Sequence, residues 1–136
     1  MSCKPQALGR RLPTGCRALA LLSSNQAYWV ACAASPPKLQ AVVVPARSPE
    51  KARAAVAGLA GVELETLELG EPDSIDAFAG RFLASGRPLH ALITSAGIMA
   101  LPLTRDARGF ELQLAVNHLG HFQLAMRLWP ALRAAG

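Results

Sequence analysis

Six residues are suited by type to contact a ligand, and all of them lie at or just after the end of a short apolar run. They are Arg47, Glu68, Leu69, Ser95, Ala96 and Gly97. A guanidinium makes forked, charge-assisted contacts with phosphate groups, a carboxylate accepts hydrogen bonds, and small residues let a backbone approach a ligand closely. Taken alone, Arg47 is best interpreted as a solvated loop cation and Glu68 as an outward-facing strand residue.

A second polar group interrupts an apolar stretch near the end of the chain. It consists of Asn117, His118 and His121. A buried Asn on an apolar helix needs hydrogen-bond partners, which favours a special role over a plain helical one. The two histidines could face together, but no further ligands are spaced nearby. We therefore predict a structural role for them and no metal site.

The elements that would position these residues alternate between strands and helices. Strands are predicted over residues 41–46, 62–69 and 88–93, and helices over 48–57, 73–86 and 109–132. Ser48 or Asp73-Ser74 would cap the first two helices. This alternation indicates parallel strands joined by crossover helices, and hence a partial, Rossmann-like, doubly wound α/β sheet.

Two of the predicted helices show an apolar stripe at helical spacing. In the helix over 73–86 the stripe is Ile75, Phe78, Phe82 and Leu83. In the helix over 109–132 it is Ala115, Leu119, Phe122, Met126 and Trp129. We expect both stripes to face the core.

Residues 1–40 differ from the rest of the 136-residue chain. They hold all of the net charge of +5, all three cysteines, and no Asp or Glu. No strand or helix pattern is visible before residue 41, so we predict a basic, irregular leader followed by one domain over 41–136. A positive excess on an irregular segment argues against a nucleic-acid interface. The odd cysteine count indicates ordinary thiols in a reducing compartment, and we predict the cytoplasm.

The origin of this leader is open to three interpretations. A shifted reading frame or an alternative exon would explain the abrupt change at Ala41. A targeting segment is the second, with cleavage near residues 31–33, although polar residues 23–26 break its apolar stretch. A misplaced start is the third. No apolar run is long enough to cross a bilayer.

Four segments carry a resemblance to a known family. They are VVVPARSPEKA, LELGEPDSIDAFA, PLHALITSAGIMA and RGFELQLAVNHLGHF. In this order and spacing, residues 41–136 resemble the central part of a short-chain dehydrogenase/reductase, most of all its retinol-dehydrogenase-like branch.

The resemblance implies a cofactor preference. Arg47 stands where the family recognises the adenosine ribose, and an Arg there implies NADP rather than NAD. Glu68-Leu69 matches the family's Asp-Leu, whose acid holds the adenine amino group. Ser95-Ala96-Gly97 matches the end of the Asn-Asn-Ala-Gly turn beside the cofactor ribose, where Gly97 tolerates a positive φ.

The resemblance also implies a catalytic role for one residue. Asn117 matches the active-site Asn, which supports a proton relay to the family's catalytic Lys. In the complete family the reaction is hydride transfer between nicotinamide and a small-molecule carbonyl or alcohol.

Two parts of the family pattern are missing. The nearest stretch to the glycine-rich turn, residues 14–20, has only Gly15. The family's Ser and Tyr-x-x-x-Lys lie beyond Gly136, and Tyr28 is followed four residues later by Cys32. We therefore predict a truncated or degenerate oxidoreductase, inactive as this chain, with marginal folding because the first strand is absent.

The alternative is a non-enzymatic fragment or pseudo-enzyme. It would associate with a full-length relative or with itself through Leu119, Phe122, Met126 and Trp129, since in the family this helix joins a four-helix dimer interface.

Overall fold

The computed structural model describes residues 16–21 and 39–135. The strands are β1 (Cys16–Leu21), β2 (Leu39–Ala46), β3 (Val62–Thr66) and β4 (Ala91–Thr94). The helices are α1 (Pro49–Ala55), α2 (Pro72–Ala84), α3 (Leu112–Leu114), a π-helical segment (Ala115–Gly120) and α4 (His121–Ala134). The last three are continuous and are called the long helix below.

The four strands form one parallel sheet in the order β3-β2-β1-β4. From β1 the chain adds β2 and β3 on one side and then returns to place β4 on the other. The doubly wound arrangement is therefore confirmed. The reversal point, where such folds bind ligands outside the carboxyl ends of the strands, lies between β1 and β4.

The main correction concerns β1. No strand is predicted before residue 41, and the expectation of marginal folding rests on a missing first strand, yet the structure places a strand at the centre of the sheet. Its sequence, CRALAL, contains a charge and no β-branched residue, so it has no strand pattern of its own. Pairing with β2 on one side and β4 on the other supplies the backbone hydrogen bonds that the local sequence does not predict.

The predictions for residues 1–15 and 22–38 lie outside the described residues. These include the leader's remaining irregularity, the cleavage site and Tyr28. Among the described residues, no helix is long and apolar enough to span a membrane.

The sheet is covered on both faces. Alternation along β2 directs Val43 to one face, and Val42 and Val44 to the other. The large cluster covers the first face with α2 and the long helix: Val43, Leu67, Leu69, Ile75, Phe78, Ala79, Phe82, Leu89, Val116, Leu124, Leu128 and Ala131. The small cluster on the other face has two buried residues, Val42 and Val44, packed by half-buried Val56, Leu59, Val62 and Leu64.

Proline stands at the start of α1 and α2, and neither helix has a side-chain capping bond. Ser48 precedes Pro49 at the start of α1 as predicted, although its side chain makes no capping bond. For α2 the predicted cap is wrong: the helix begins at Pro72, after Glu71. The hydroxyl of Ser74 instead accepts a hydrogen bond from the Glu68 backbone N–H at 3.0 Å, which ties the end of the β3 segment to α2.

The predicted apolar stripe of the long helix is mostly wrong. Ala115 is buried, but Phe122, Met126 and Trp129 are 61%, 56% and 55% exposed. The helix has a second apolar stripe, and that stripe is the one that packs: Val116, Gly120, Leu124, Leu128 and Ala131. Sequence periodicity alone does not say which of two apolar stripes meets the sheet. In α2, Leu83 is likewise exposed, while Ile75, Phe78 and Phe82 are buried.

Candidate functional site

The predicted site residues lie at the carboxyl ends of three parallel strands. Arg47 directly follows β2, Glu68 follows β3 by two residues, and Ser95 directly follows β4. In a parallel sheet these ends share one edge, so the topology brings together residues that are far apart in sequence.

Arg47 and Glu68 form an ion pair on this edge. The Nε atom of Arg47 lies 3.7 Å from Oε2 of Glu68, and the side chains are 78% and 34% exposed. The other carboxylate oxygen of Glu68, Oε1, accepts a hydrogen bond from the backbone N–H of Gly70 at 3.2 Å. Glu68 therefore contacts two partners at once, whereas Arg47 stays largely open to solvent.

A cavity of about 280 Å³ opens beside this pair. It is lined by Arg47, Glu68, Gly70, Glu71, Ile98, Asp106, Ala107, Leu112 and Val116. Three of these residues are acidic and Arg47 is the only basic one, so the cavity has a carboxylate-rich wall with one cation. Such a site favours a ligand that offers hydrogen-bond donors to the wall and a negative charge to Arg47.

Sequence reasoning missed Asp106, which shapes the far wall of this cavity. Its Oδ1 accepts backbone N–H bonds from Arg108 and Phe110, both at 2.9 Å, and its Oδ2 accepts from Arg108 Nε at 2.8 Å. Burial alone would raise the pKa of Asp106, but the hydrogen bonds from Arg108 and Phe110 outweigh it and lower that pKa. The signal was local: an Asp two residues before Arg and three before Gly is typical of a tight turn.

The start of the long helix was also placed too early by the sequence analysis. Glu111, not Gly109, is the residue before the first helical turn, and its carboxylate accepts the N–H groups of Gln113 and Leu114 at 2.9 and 2.8 Å. These backbone bonds lower the pKa of Glu111. The cap fixes the end of the helix that lines the cavity.

Gly120 brings the long helix close to the strand end that carries Glu68. A Cβ atom at this position would lie 2.2 Å from the carbonyl oxygen of Leu69. Leu69 is buried in the large cluster, so its contribution is to hold this edge in place. Only glycine permits such an approach between a helix and a backbone carbonyl.

Asn117 braces the segment that follows β4. Its Oδ1 accepts the Ile98 backbone N–H at 2.9 Å, and its Nδ2 donates to the Ile98 carbonyl at 2.7 Å. A Cβ on Gly97 would lie 3.1 Å from the same Oδ1, so the Asn117 side chain would have to shift by a few tenths of an ångström to admit it. The φ angle of Gly97 is not positive, and Asn117 is exposed rather than buried as predicted.

The π-helical segment gives the Asn117 carbonyl an unusual partner. Nδ1 of His121 lies 3.0 Å from that oxygen, which can only accept, so the ring carries its proton on Nδ1. Interruptions of this kind often occur at functional sites. No group of three metal-ligating side chains occurs among residues 16–21 and 39–135.

The structure thus assembles the predicted residues as two neighbouring groups. Arg47, Glu68 and Leu69 form the first, with Glu71 and Asp106 as the members that the sequence analysis missed. Ser95, Ala96, Gly97 and Asn117 form the second. Ile98 connects the two groups, because it lines the cavity and is held by Asn117.

The glycine-rich turn has to be sought in a different place from the one predicted. Residues 16–20 of the stretch proposed for it belong to β1 itself. A turn between β1 and a following helix would begin after Leu21, outside the described residues. The sequence has no glycine between Gly15 and Gly58, whereas the glycine-rich turn of a dinucleotide-binding fold uses several.

Several curated proteins are similar to part of this chain. Retinol dehydrogenase 11 of Mus musculus is 46% identical over 79 residues, which are 58% of this chain and 25% of that protein. The Streptomyces lividans protein named "Probable oxidoreductase" is 45% identical over 101 residues, 70% of this chain and 33% of that protein. The chain therefore spans about a quarter to a third of the length of these relatives. No protein-family model matches it.

Solved structures share its fold. A Mycobacterium paratuberculosis protein superimposes with a TM-score of 0.70 at 33% identity, covering 88% of this chain and 44% of that one. A metagenomic short-chain oxidoreductase in complex with NADP gives a TM-score of 0.70 at 26% identity, covering 93% and 60%. Both likenesses extend over most of this chain and only part of the other.

Proposed function

We propose that this chain carries the adenosine-binding edge of an NADP site. The premise is its similarity to the central part of a short-chain dehydrogenase/reductase of the retinol-dehydrogenase-like branch. The observation that carries this proposal is the position of Arg47. It directly follows β2, is 78% exposed, and is the cation of a cavity otherwise rich in carboxylates.

The charges of the cavity fit a phosphorylated adenosine. A 2′-phosphate would find its partner in the guanidinium of Arg47, through charge-assisted contacts. The adenine amino group is a hydrogen-bond donor, and Glu68, Glu71 and Asp106 line the cavity with acceptors. The crystal structure of the similar metagenomic oxidoreductase holds NADP, which supports this choice over NAD.

The second group would serve the ribose and the reaction centre. We assign Ser95, Ala96 and Gly97 to the backbone surface beside the ribose, and Asn117 to the position of the family's active-site Asn. The bonds between Asn117 and Ile98 support this assignment, because they fix the helix against the segment after β4. NADP, when bound, supplies or accepts the hydride, and the partner would be a small-molecule carbonyl or alcohol.

The hydride transfer of the complete family also needs its Tyr-x-x-x-Lys pair. The sequence holds one tyrosine, Tyr28, and the residue four positions later is Cys32 rather than Lys. Between Gly15 and Gly58 the sequence also holds no glycine. We propose an oxidoreductase segment, degenerate at its glycine-rich turn, that retains nucleotide binding, in the cytoplasm, where its three thiols stay reduced.

A thermal melt with and without NADPH tests this proposal. A ligand that binds only the folded chain stabilises it by about 2.7 kcal/mol at a hundredfold excess over Kd. We expect NADPH to raise the midpoint more than NADH does, and Arg47→Ala to abolish that difference. Arg53→Ala, which removes an exposed arginine of α1 outside the cavity, is the matched control and should retain it. Equal shifts with both nucleotides, or no shift, would contradict the proposal.

A second candidate function is association through the exposed stripe of the long helix. Phe122, Met126 and Trp129 are each more than half exposed on one side of this helix. Apolar area of this kind is typical of an interaction surface, so it favours self-association or pairing with a full-length relative. Sedimentation of the chain and its Trp129→Asp variant tests this: the variant should shift towards monomer. Met99→Asp, at a more exposed Met outside the helix, is the control.

A further inference from the structure

Glu68 divides its carboxylate between a backbone and a side chain. Oε1 accepts the Gly70 N–H at 3.2 Å, and Oε2 pairs with Arg47 Nε at 3.7 Å. The Glu68 backbone is itself fixed, because its N–H donates to Ser74 Oγ at the start of α2. Both the backbone and the carboxylate of Glu68 are therefore held by contacts within the chain.

We infer that Glu68 is a positioning residue, which holds Arg47 by its Nε edge and directs the two terminal nitrogens towards a 2′-phosphate. This inference rests on the proposed function and deepens it, since it assigns a source of the preference for a 2′-phosphorylated nucleotide. The sequence resemblance implies a different role, in which the acid at this position contacts the adenine amino group.

The geometry of the guanidinium group allows Arg47 to contact Glu68 and a phosphate at the same time. Its donors lie in a rigid fork, so a carboxylate on the Nε side leaves the N–H groups of the terminal nitrogens free to bind a second anion. An exposed arginine without such a partner would have to be ordered when the ligand binds, which costs affinity. Glu68 removes part of that cost because Arg47 is already held in one place.

The other cavity carboxylates do not share this arrangement. Glu71 and Asp106 line the same cavity, but the ion pairs of Asp106 run to Arg108, and Arg47 is paired with Glu68. Glu71 therefore provides a matched comparison. Removing its charge changes the potential of the cavity and leaves the contact on Arg47 in place.

The experiment titrates the full chain with adenosine 2′,5′-bisphosphate and with 5′-AMP, following backbone amide shifts by NMR. The measured quantity is the ratio of the two dissociation constants. We expect the wild-type chain to prefer the bisphosphate by about tenfold. Glu68→Gln keeps an oxygen for the Gly70 N–H and removes the charge beside Arg47. It should lower the preference by about threefold, as expected for an exposed ion pair.

Two controls isolate the coupling. In an Arg47→Ala background, Glu68→Gln should leave the ratio unchanged, because the positioned group is gone. Glu71→Gln can change the binding of the adenine that both nucleotides share, so it should alter the two dissociation constants together and leave their ratio equal to wild type or slightly higher. A Glu68→Gln variant that weakens both nucleotides equally would overturn the inference in favour of adenine contact, while leaving the proposed function intact.

The remaining outcomes are also decisive. A preference that rises in Glu68→Gln would show that the carboxylate acts only through its charge. A preference that falls equally in Glu71→Gln would show that the effect is not specific to the contact with Arg47. Either result would overturn the inference. A wild-type chain that binds neither nucleotide, or binds both equally, would overturn the proposed function and the inference with it.

Discussion

Among residues 16–21 and 39–135, the two faces of the sheet carry apolar clusters of different size. The large cluster joins α2 and the long helix to the sheet with twelve buried residues, among them Phe78, Leu124 and Leu128 at 1% exposure or less. The small cluster has two, Val42 and Val44, and α1 has no buried residue. Both clusters include residues of the same β2 strand, so among the described residues the difference comes from the helices packed against it.

This difference matters for the site, because the heavier face builds most of it. Gly70, Ile98, Leu112 and Val116 line the cavity from the side of the large cluster or from segments packed against it. Arg47 is the exception, since it stands between β2 and the lightly packed α1. This side of the cavity is therefore continuous with the large cluster, whereas Arg47 is 78% exposed and pairs with Glu68.

The strongest test of this contrast truncates one leucine on each face. Leu124→Ala removes a fully buried side chain from the large cluster and should cost about 2–5 kcal/mol in the free energy of unfolding. Leu59→Ala removes a half-buried side chain on the α1 face and should cost roughly 1 kcal/mol, because less area leaves the solvent there. Urea unfolding of both variants measures the difference, and equal losses would mean that the two faces are equally important.

A second test uses glycine and targets the contact between the long helix and the strand end. Gly120→Ala places a Cβ atom 2.2 Å from the Leu69 carbonyl oxygen, so backbone must shift. We expect a loss near the upper end of roughly 1–3 kcal/mol. Gly80→Ala, in the middle of α2 with nothing within 4 Å of the new atom, should instead stabilise the chain by about 0.5–1 kcal/mol. Stabilisation by both substitutions would contradict the close approach at Gly120.

Much of the fold follows from the sequence between residues 41 and 136. The continuous apolar run of β2, the alternation of β3 and the Ser48-Pro49 start of α1 each indicate their element by local pattern. The local sequence pattern does not predict β1, because its strand conformation comes from pairing with both neighbouring strands. The buried side of the long helix is also undetermined by periodicity, because two apolar stripes compete and Gly120 decides which one packs.

The site divides in the same way. Arg47, Glu68 and Asn117 follow from the family resemblance, because their positions match its motifs in order. Their contacts do not follow from it, because the Arg47–Glu68 pairing depends on how the two side chains are oriented in the fold. Asp106 was missed because its significance comes from the fold of the 98–111 loop against the cavity. The roles of all these residues in binding stay predictions.

A third test asks how much the brace between the two site groups contributes. Asn117→Ala removes both hydrogen bonds to the Ile98 backbone and should cost about 1 kcal/mol, since each exposed bond contributes modestly. His118→Ala, at the neighbouring exposed position, should change the free energy of unfolding by less than about 0.5 kcal/mol. Hydrogen exchange at the Ile98 amide adds a local reading, and unchanged protection in Asn117→Ala would rule out the brace.

The smallest effect concerns the polar link across the heavier face. Asp76 accepts bonds from Arg127 Nε and Nη2 at 2.8 and 2.6 Å and from Gln123 Nε2 at 2.7 Å, joining α2 to the long helix. The Arg127 bond, followed by that of Gln123, lowers the pKa of Asp76, and Asp76 in turn raises the pKa of Arg127.

Because the folded pKa of Asp76 is lowered, the stabilisation is present above the unfolded pKa of about 3.9 and disappears as the pH falls through the folded value. Wild type should therefore be more stable than Asp76→Asn at pH 7, with the gap closing in acid and shrinking in high salt. A gap that persists at the lowest pH would mean that Asp76 contributes through its shape and hydrogen bonds, which Asn fails to reproduce. The charge of Asp76 would then not be the source of the stabilisation.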